Sequence, residues 1–317
     1  MSPEVAAPDS LSGGAKVIDG RAMANELRDE LAAKISESGT RPPGLATLMV
    51  GDVYTAAAYE RRIRRLATDL GCHYDNRHLP GDVDLAEVLA TIGRLNADPR
   101  ISGIIILRPL PEQIPEAALY RRLDPLKDVE AVHPWNAGLL ALGEPRFVPS
   151  TPSAAFHMLD RYLADSGRDP AQFYAESTIL LIGRSNNVGK PGLWLGLERH
   201  ATVVSCDRWC DEHGRLRNYS RQADVVIVAA GVPGLITGDD VRDGVIAIDI
   251  GINAVTDHET GRVHLVGDLD FESVSERAEA VSPVPGGVGP ITDVWLLANT
   301  LKAAELPRWV HELGQPR

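Results

Sequence analysis

The sequence predicts an α/β protein of two α/β domains, the C-terminal one a Rossmann-like, doubly wound parallel sheet. Three observations lead there. From Lys16 onward, apolar runs of strand length alternate with helical patterns, as βα units require. The strand runs of the second half are apolar throughout, as when helices cover both faces of a parallel sheet. At 317 residues, 44% of them hydrophobic, the chain is long enough for two sizeable cores.

Residues 1–15 are rich in Pro, Ser, Gly and Ala without an apolar period, and read as a disordered leader. In a first domain, residues 16–150, LATLMV is a strand, Thr55 to Leu70 and Leu85 to Leu95 are helices, and GIIIL is the next strand. Asp124 to Arg146 carries Pro and Gly with little periodicity, so it reads as a long functional loop followed by a linker. Thr151 as N-cap and Pro152 at the first helical position then open a helix that bridges the domains. The second domain, 151–289, runs strand TILLIG, helix PGLWLGLERH, strand ATVVSC, a short helix, and strands DVVIVAAG and VIAIDIG. PITDVWLLANTLKAAEL closes the chain as a helix begun by Pro290.

Charge narrows the function. Lys and Arg number 32 against 44 Asp and Glu, a net charge of −12 with no basic block, which disfavours nucleic acid and anionic membranes as partners. The N-terminus has no charged and apolar regions of a signal peptide, so a cytoplasmic protein is expected. Cys72, Cys206 and Cys210 are too few for a disulfide framework and fit a reducing compartment. Cys206, Cys210 and His213 lack the CxxC spacing of a metal site, so no metal is expected.

Two segments carry candidate chemistry. In TILLIGRSNNVGKPGLWL, Gly183 permits a tight turn, Gly189 permits close backbone approach, and the following helix offers its positive end to a pyrophosphate. A plain strand-to-helix turn is the competing reading, because the spacing is not GxGxxG. Asp207 closes the next strand, near the ~20-residue distance at which an acidic residue meets a ribose hydroxyl. That suggests NAD, whereas Arg184 and Arg208 suit a 2′-phosphate and suggest NADP, leaving the preference open. SPVPGGVGPIT forms a rigid path whose backbone can approach a flat ligand, or else a structural crossover.

VGDVYTAAAY, GIIILRPLP, KDVEAVHPWNAG, PSTP, GRSNNVGKP, DIGIN, VGDL and SPVPGGVGPIT occur in the order seen in methylenetetrahydrofolate dehydrogenase/methenyltetrahydrofolate cyclohydrolase. The chain resembles that family from Lys16 to about Leu306. The resemblance implies two α/β domains around a cleft, the first completed by the C-terminal segment 290–317, and a homodimer. It implies oxidation of 5,10-methylenetetrahydrofolate to the methenyl form by NADP or NAD, then hydrolysis to 10-formyltetrahydrofolate. Folate would be held by Tyr59 and Glu130, with Asp268, Pro285, Gly286, Gly287 and Pro290 lining the site. The cofactor would be held by Gly183, Arg184, Ser185, Val188, Gly189, Pro191, Asp207, Arg208, Ala230, Gly231, Gly251, Ile252 and Asn253.

The chain departs from the pattern where protons move. Ala56, Ile63 and Leu107 stand at the family's Ser, Lys and Gln positions, Glu130 and Ala131 at its Asp and Gly, and Ser150 and Ser153-Ala154 at its Cys and Lys-Gly. Hydride transfer chiefly needs two rings in register, whereas hydrolysis needs a proton relay that these apolar residues cannot supply. Arg61 and Arg62 flank Ile63 but are expected on other helix faces, and Arg is a poor base. The expectation is a dehydrogenase with cyclohydrolase activity weak or lost. Competing readings are a folate enzyme with another one-carbon acceptor, Ile63 and Leu107 forming an apolar subsite, and a non-catalytic folate or dinucleotide binder.

Overall fold

The computed structural model describes residues 14–38, 41–256 and 261–306. Along the chain run β1 (Lys16–Val17), α1 (Gly20–Glu37), β2 (Gly44–Val50), α2 (Tyr54–Asp69), β3 (His73–Leu79), α3 (Leu85–Ala97) and β4 (Gly103–Ile106). Then come α4 (Glu116–Arg122), α5 (Pro134–Ala141), α6 (Ser150–Asp165), α7 (Pro170–Glu176), β5 (Thr178–Ile182), α8 (Gly189–Glu198) and β6 (Thr202–Cys206). The remainder is α9 (Arg208–Glu212), α10 (Leu216–Ser220), β7 (Val225–Val228), β8 (Ile246–Asp249), β9 (Asn253–Thr256), β10 (Val263–Val266), α11 (Phe271–Ser275), β11 (Ala280–Val281) and α12 (Val288–Glu305).

Two compact units result, one from the described part of Met1–Glu26 with Thr151–Thr292, the other from Leu27–Ser150 with the described part of Asp293–Arg317. The first holds a parallel six-stranded sheet ordered β1-β11-β8-β7-β5-β6. All of β7 and β8 is buried, which explains their unbroken apolar sequence. The second unit holds a parallel sheet ordered β3-β2-β4, with β2 buried along its whole length. β3, HYDNRHL, takes the sheet edge, where polar side chains face water at little cost.

Five expectations need correction. Lys16–Val17 does not begin the first domain: it pairs with β11 of the six-stranded sheet, with Lys16 N–H bonding Glu279 O at 2.9 Å. Two residues are too few to show a period, so backbone pairing alone places them. Of the expected leader, residues 1–13 lie outside the described part, and Ala15 belongs to the buried core. The long loop from Asp124 to Arg146 contains α5, whose Pro134 sits at the first turn and whose His133 ring accepts from Trp135 N–H at 3.0 Å. α6 starts at Ser150, ahead of the expected cap Thr151, and α12 at Val288, so Pro290 lies inside a first turn that needs no donor there. Among the described residues no helix is long and apolar enough to cross a membrane.

Candidate active site

The second unit holds two of the folate-side candidates, Tyr59 and Glu130. Tyr59 lies in the middle of α2, partly buried, with the Arg62 guanidinium 5.1 Å from its ring centroid. Arg62 Nη2 donates to Asp293 Oδ1 of α12 at 3.1 Å, and its Nε donates to Oδ2. Arg62 thus lies beside Tyr59, three residues back along the helix, and its half-exposed side chain stands apart from the wholly buried Ile63. Burial, then the Asp293 and Glu130 charges, holds the Tyr59 phenol well above its ordinary pKa. The phenol stays neutral and is no base.

A loop built for display presents Glu130. Lys127 Nζ donates to the carbonyls of Leu95, Asn96 and Asp98 at 3.2, 2.6 and 2.8 Å, satisfying the end of α3. Buried Asp128 accepts from the Val132 and His133 N–H groups at 3.1 and 2.8 Å and from Asn136 Nδ2 at 2.9 Å. Glu130, between these anchors, lies 3.8 Å from Arg108 Nη2, and its side chain is 14% exposed. Burial lifts the Glu130 carboxyl above the usual range while Arg108 pulls it down. Ala131 follows at φ +53°, a left-handed conformation that an L side chain strains to hold. Arg108 in turn donates to Tyr120 Oη at 3.1 Å.

Ile63, Leu107 and Ala56 are each apolar and buried. Ile63 is 0% exposed, Leu107 3% and Ala56 4%. An apolar subsite at Ile63 and Leu107 therefore has no surface to offer. Thr55, one residue from the lost hydroxyl, points to an exposed position.

The first unit carries the phosphate-binding candidates on the β5–α8 turn. Gly183 has φ +112°, and a Cβ there would meet the Ala229 carbonyl oxygen at 2.2 Å; a Cβ on Gly189 would meet Gly183 O at 2.0 Å. α8 has no side-chain cap at Val188, and Gly189 N–H makes only a long 3.4 Å bond to Ser185 Oγ. Pro191, buried in the first turn, brings no N–H of its own. Lys190 N–H bonds Ser185 O at 3.0 Å, so it is the close glycine backbone of this turn that fits a dinucleotide pyrophosphate. Arg184 spans from Asp207 Oδ2, 2.9 Å from Nη1, to the Ser205 carbonyl, 2.7 Å from Nη2. Arg208 is exposed and pairs with Glu212 at 3.2 Å.

Several remaining candidates prove to be supports. Asp268 was expected to line the folate site, yet it is fully buried with both oxygens taken. Oδ2 accepts from Ala230 and Gly231 N–H at 2.6 and 2.9 Å, and Oδ1 from Val232 N–H and Asn253 Nδ2 at 3.0 and 2.8 Å. Asp268 thus fixes the loop after β7, and Asn253 spends its amide on that carboxylate rather than facing a ligand. Asp249, unanticipated from the sequence, accepts from Gly251, Asp268 and Leu269 N–H, and burial pushes its carboxyl up to about 7. Gly251 has no room for a Cβ, which would fall 2.2 Å from Asp268 Cγ. Ile252 is exposed, as are Ala230 and Gly231.

Gly286 and Gly287 are buried. Gly20 N–H bonds Gly286 O at 3.0 Å, and a Cβ on Gly20 would strike Gly287 O at 1.8 Å. This close approach requires glycine at position 20, whereas Gly286 holds φ +111° and a Cβ on Gly287 would meet Pro283 O at 2.6 Å; Pro285 is exposed and Pro290 partly so. Cys206 and Cys210 are free thiols with sulfurs 2.7 Å apart, while His213 Nδ1 lies 2.7 Å from Trp209 O.

Known proteins match this arrangement along most of the chain. Residues 18–130 match the tetrahydrofolate dehydrogenase/cyclohydrolase catalytic domain, and residues 149–308 match its NAD(P)-binding domain. Bifunctional protein FolD 3 of Rubrobacter xylanophilus is 59% identical over 293 residues, 92% of either chain. Among solved structures, the FolD methylenetetrahydrofolate dehydrogenase/cyclohydrolase of Campylobacter jejuni superposes with TM-score 0.82 at 35% identity, covering 92% of this chain and 99% of that one. The Trypanosoma brucei enzyme, solved with NADP cofactor and inhibitor, gives TM-score 0.82 at 33% identity over 93% and 98%. With both domain types, the two-unit parallel α/β fold and this identity, the chain belongs to the tetrahydrofolate dehydrogenase/cyclohydrolase family.

Proposed function

We propose that this enzyme oxidises 5,10-methylenetetrahydrofolate to 5,10-methenyltetrahydrofolate with NAD or NADP and hydrolyses the product weakly or not at all. The observation that carries this reading is that Ile63, Leu107 and Ala56, each apolar and buried, stand at the positions where the family resemblance expects Lys, Gln and Ser. Bound nicotinamide supplies the hydride acceptor. Tyr59 offers a neutral ring for the pterin to stack on, and Glu130 offers a carboxylate to the pterin amino group and ring N–H. The folate nitrogens themselves expel the hydride, so that step asks these residues only for register. Hydrolysis needs an activated water, and losing positioned acid–base help costs roughly 10²- to 10⁴-fold.

The Arg184–Asp207 pair supports NAD being accepted at least as readily as NADP, because a carboxylate beside the ribose hydroxyls opposes a 2′-phosphate. A cytoplasmic homodimer without nucleic-acid or membrane partners completes the reading. Exposed Ile252, Val263 and Leu265, at and beside the antiparallel pair of β9 and β10, support a subunit contact there.

A time course with methylenetetrahydrofolate and either cofactor, following reduced nicotinamide and methenyl product separately, tests the proposal. Methenyl product should accumulate in step with reduced cofactor. Its immediate disappearance, faster than in enzyme-free buffer, would overturn the loss of hydrolysis, and no reduced cofactor at saturation would overturn the oxidation.

A further inference from the structure

Tyr59 shares its surroundings with two ion pairs, Arg62–Asp293 and Arg108–Glu130, and each pair contains a largely buried carboxylate. The first pair is the tighter. Arg62 grips both oxygens of Asp293, whose side chain is 5% exposed, while the Arg62 side chain is 50% exposed. A fork of two parallel bonds fixes the plane of a guanidinium as one bond cannot. That fixed plane lies over the Tyr59 ring, 5.1 Å from its centroid, where the ring's negative face attracts it. A ring has two faces, and a cation held over one leaves the other for a flat ligand. The neighbouring Ile63 side chain is wholly buried, so no titrating cation stands at that helix position.

We infer that Arg62 and Asp293 are a positioning pair for the folate platform: Asp293 holds the Arg62 guanidinium, and the guanidinium holds the Tyr59 ring in the orientation in which it stacks on the pterin. The inference rests on the proposed role of Tyr59 as that platform. A guanidinium does not titrate near neutrality, so the pair keeps a positive charge beside the ring without returning the proton relay. Its contribution is to folate affinity and register, leaving the cofactor unit untouched.

Calorimetric titration with 5-formyltetrahydrofolate, which binds without hydride transfer, separates this role from a tether between α2 and α12. Arg62→Met should weaken folate binding about tenfold, the scale of one desolvated cation–π contact. Arg62→Lys should recover most of the loss, since it keeps a cation over the ring, and Asp293→Asn should weaken binding without removing the cation. In turnover assays the folate KM of Arg62→Met should rise while the cofactor KM stays unchanged. The decisive arm is a double-mutant cycle: in a Tyr59→Leu background, Arg62→Met should add less than about twofold. An equal loss in both backgrounds, or Arg62 and Asp293 variants that bind folate like wild type while unfolding earlier, would overturn the positioning role. Should Arg62→Met not fold, the Arg62→Lys and Asp293→Asn titrations decide alone. A wild type that oxidises no methylenetetrahydrofolate yet binds 5-formyltetrahydrofolate defeats only the catalytic reading. A wild type that does not bind it defeats both.

Discussion

Arg184 donates to Asp207 across the β5 and β6 strand ends at 2.9 Å, so the cation and the anion that could read the cofactor ribose are bonded to each other. Each blunts the other's charge. Asp207→Asn keeps an oxygen to cap Cys210 N–H of α9 but removes the charge, releasing Arg184. The ratio of kcat/KM for NADP over that for NAD should rise about tenfold, the worth of one charge-assisted hydrogen bond to a phosphate. Steady-state kinetics with both cofactors checks it, and an unchanged ratio would remove Asp207 from cofactor selection.

Ile63 occupies a fully buried position. Ile63→Lys alone therefore buries a cation without a partner and should lower stability by roughly 3–5 kcal/mol, read from chemical denaturation. Combined with Leu107→Gln and Ala56→Ser, the same change should raise methenyl hydrolysis at least about tenfold, within the range positioned acid–base groups supply. A folded triple variant without any gain would mean that Glu130 and Ala131 have shifted the folate itself.

Ala131 holds φ +53° immediately after Glu130. The left-handed conformation costs a non-glycine residue roughly 1–2 kcal/mol, and glycine gives back part of that through its freer unfolded chain. Ala131→Gly should therefore stabilise the protein by about 0.5–1 kcal/mol, seen as a higher denaturant midpoint at constant slope. A lower midpoint would show that the methyl group packs usefully.

Asp249 faces Asp268 and three backbone N–H donors in a buried pocket, and burial lifts its carboxyl from the usual range to about 7. Between about pH 4 and 7 the folded state holds a proton that the unfolded state has lost. Stability from this group is thus greatest below pH 4 and falls as pH rises toward 7, by at most about 1.4 kcal/mol per pH unit. The slope of unfolding free energy against pH should become more positive over that window in Asp249→Asn. Identical slopes in variant and wild type would place the Asp249 proton elsewhere.

Much of the fold was legible because strand runs such as TILLI and VVIV are apolar on both faces and helices such as α2 and α3 are long enough to show their period. Short elements were not. β1 and β11, two residues each, exist through partners distant in sequence, and α5 depends on a histidine cap and a proline at its first turn. At the candidate site, the motifs singled out Tyr59, Glu130, Gly183 and Gly189, and the two glycines do stand where a Cβ would clash. Asp268 looked like a cleft residue because its motif shows an acid, whereas its burial under the Ala230–Val232 amides comes from chain folding.

By itself the sequence determined the family and the parallel α/β architecture, and it shows Ile63, Ala56 and Leu107 where the family resemblance leads one to expect Lys, Ser and Gln, since residue type and local period are properties of neighbours along the chain. Only the tertiary structure decided which charges face one another. Arg62, Arg108 and Asp293 lie far apart in sequence, yet folding brings all three into the surroundings of Tyr59. Electrostatic partners are chosen by distance in space, and burial makes that choice consequential, because a carboxylate removed from water must find a cation, as Asp293 finds Arg62, or amide donors, as Asp268 does.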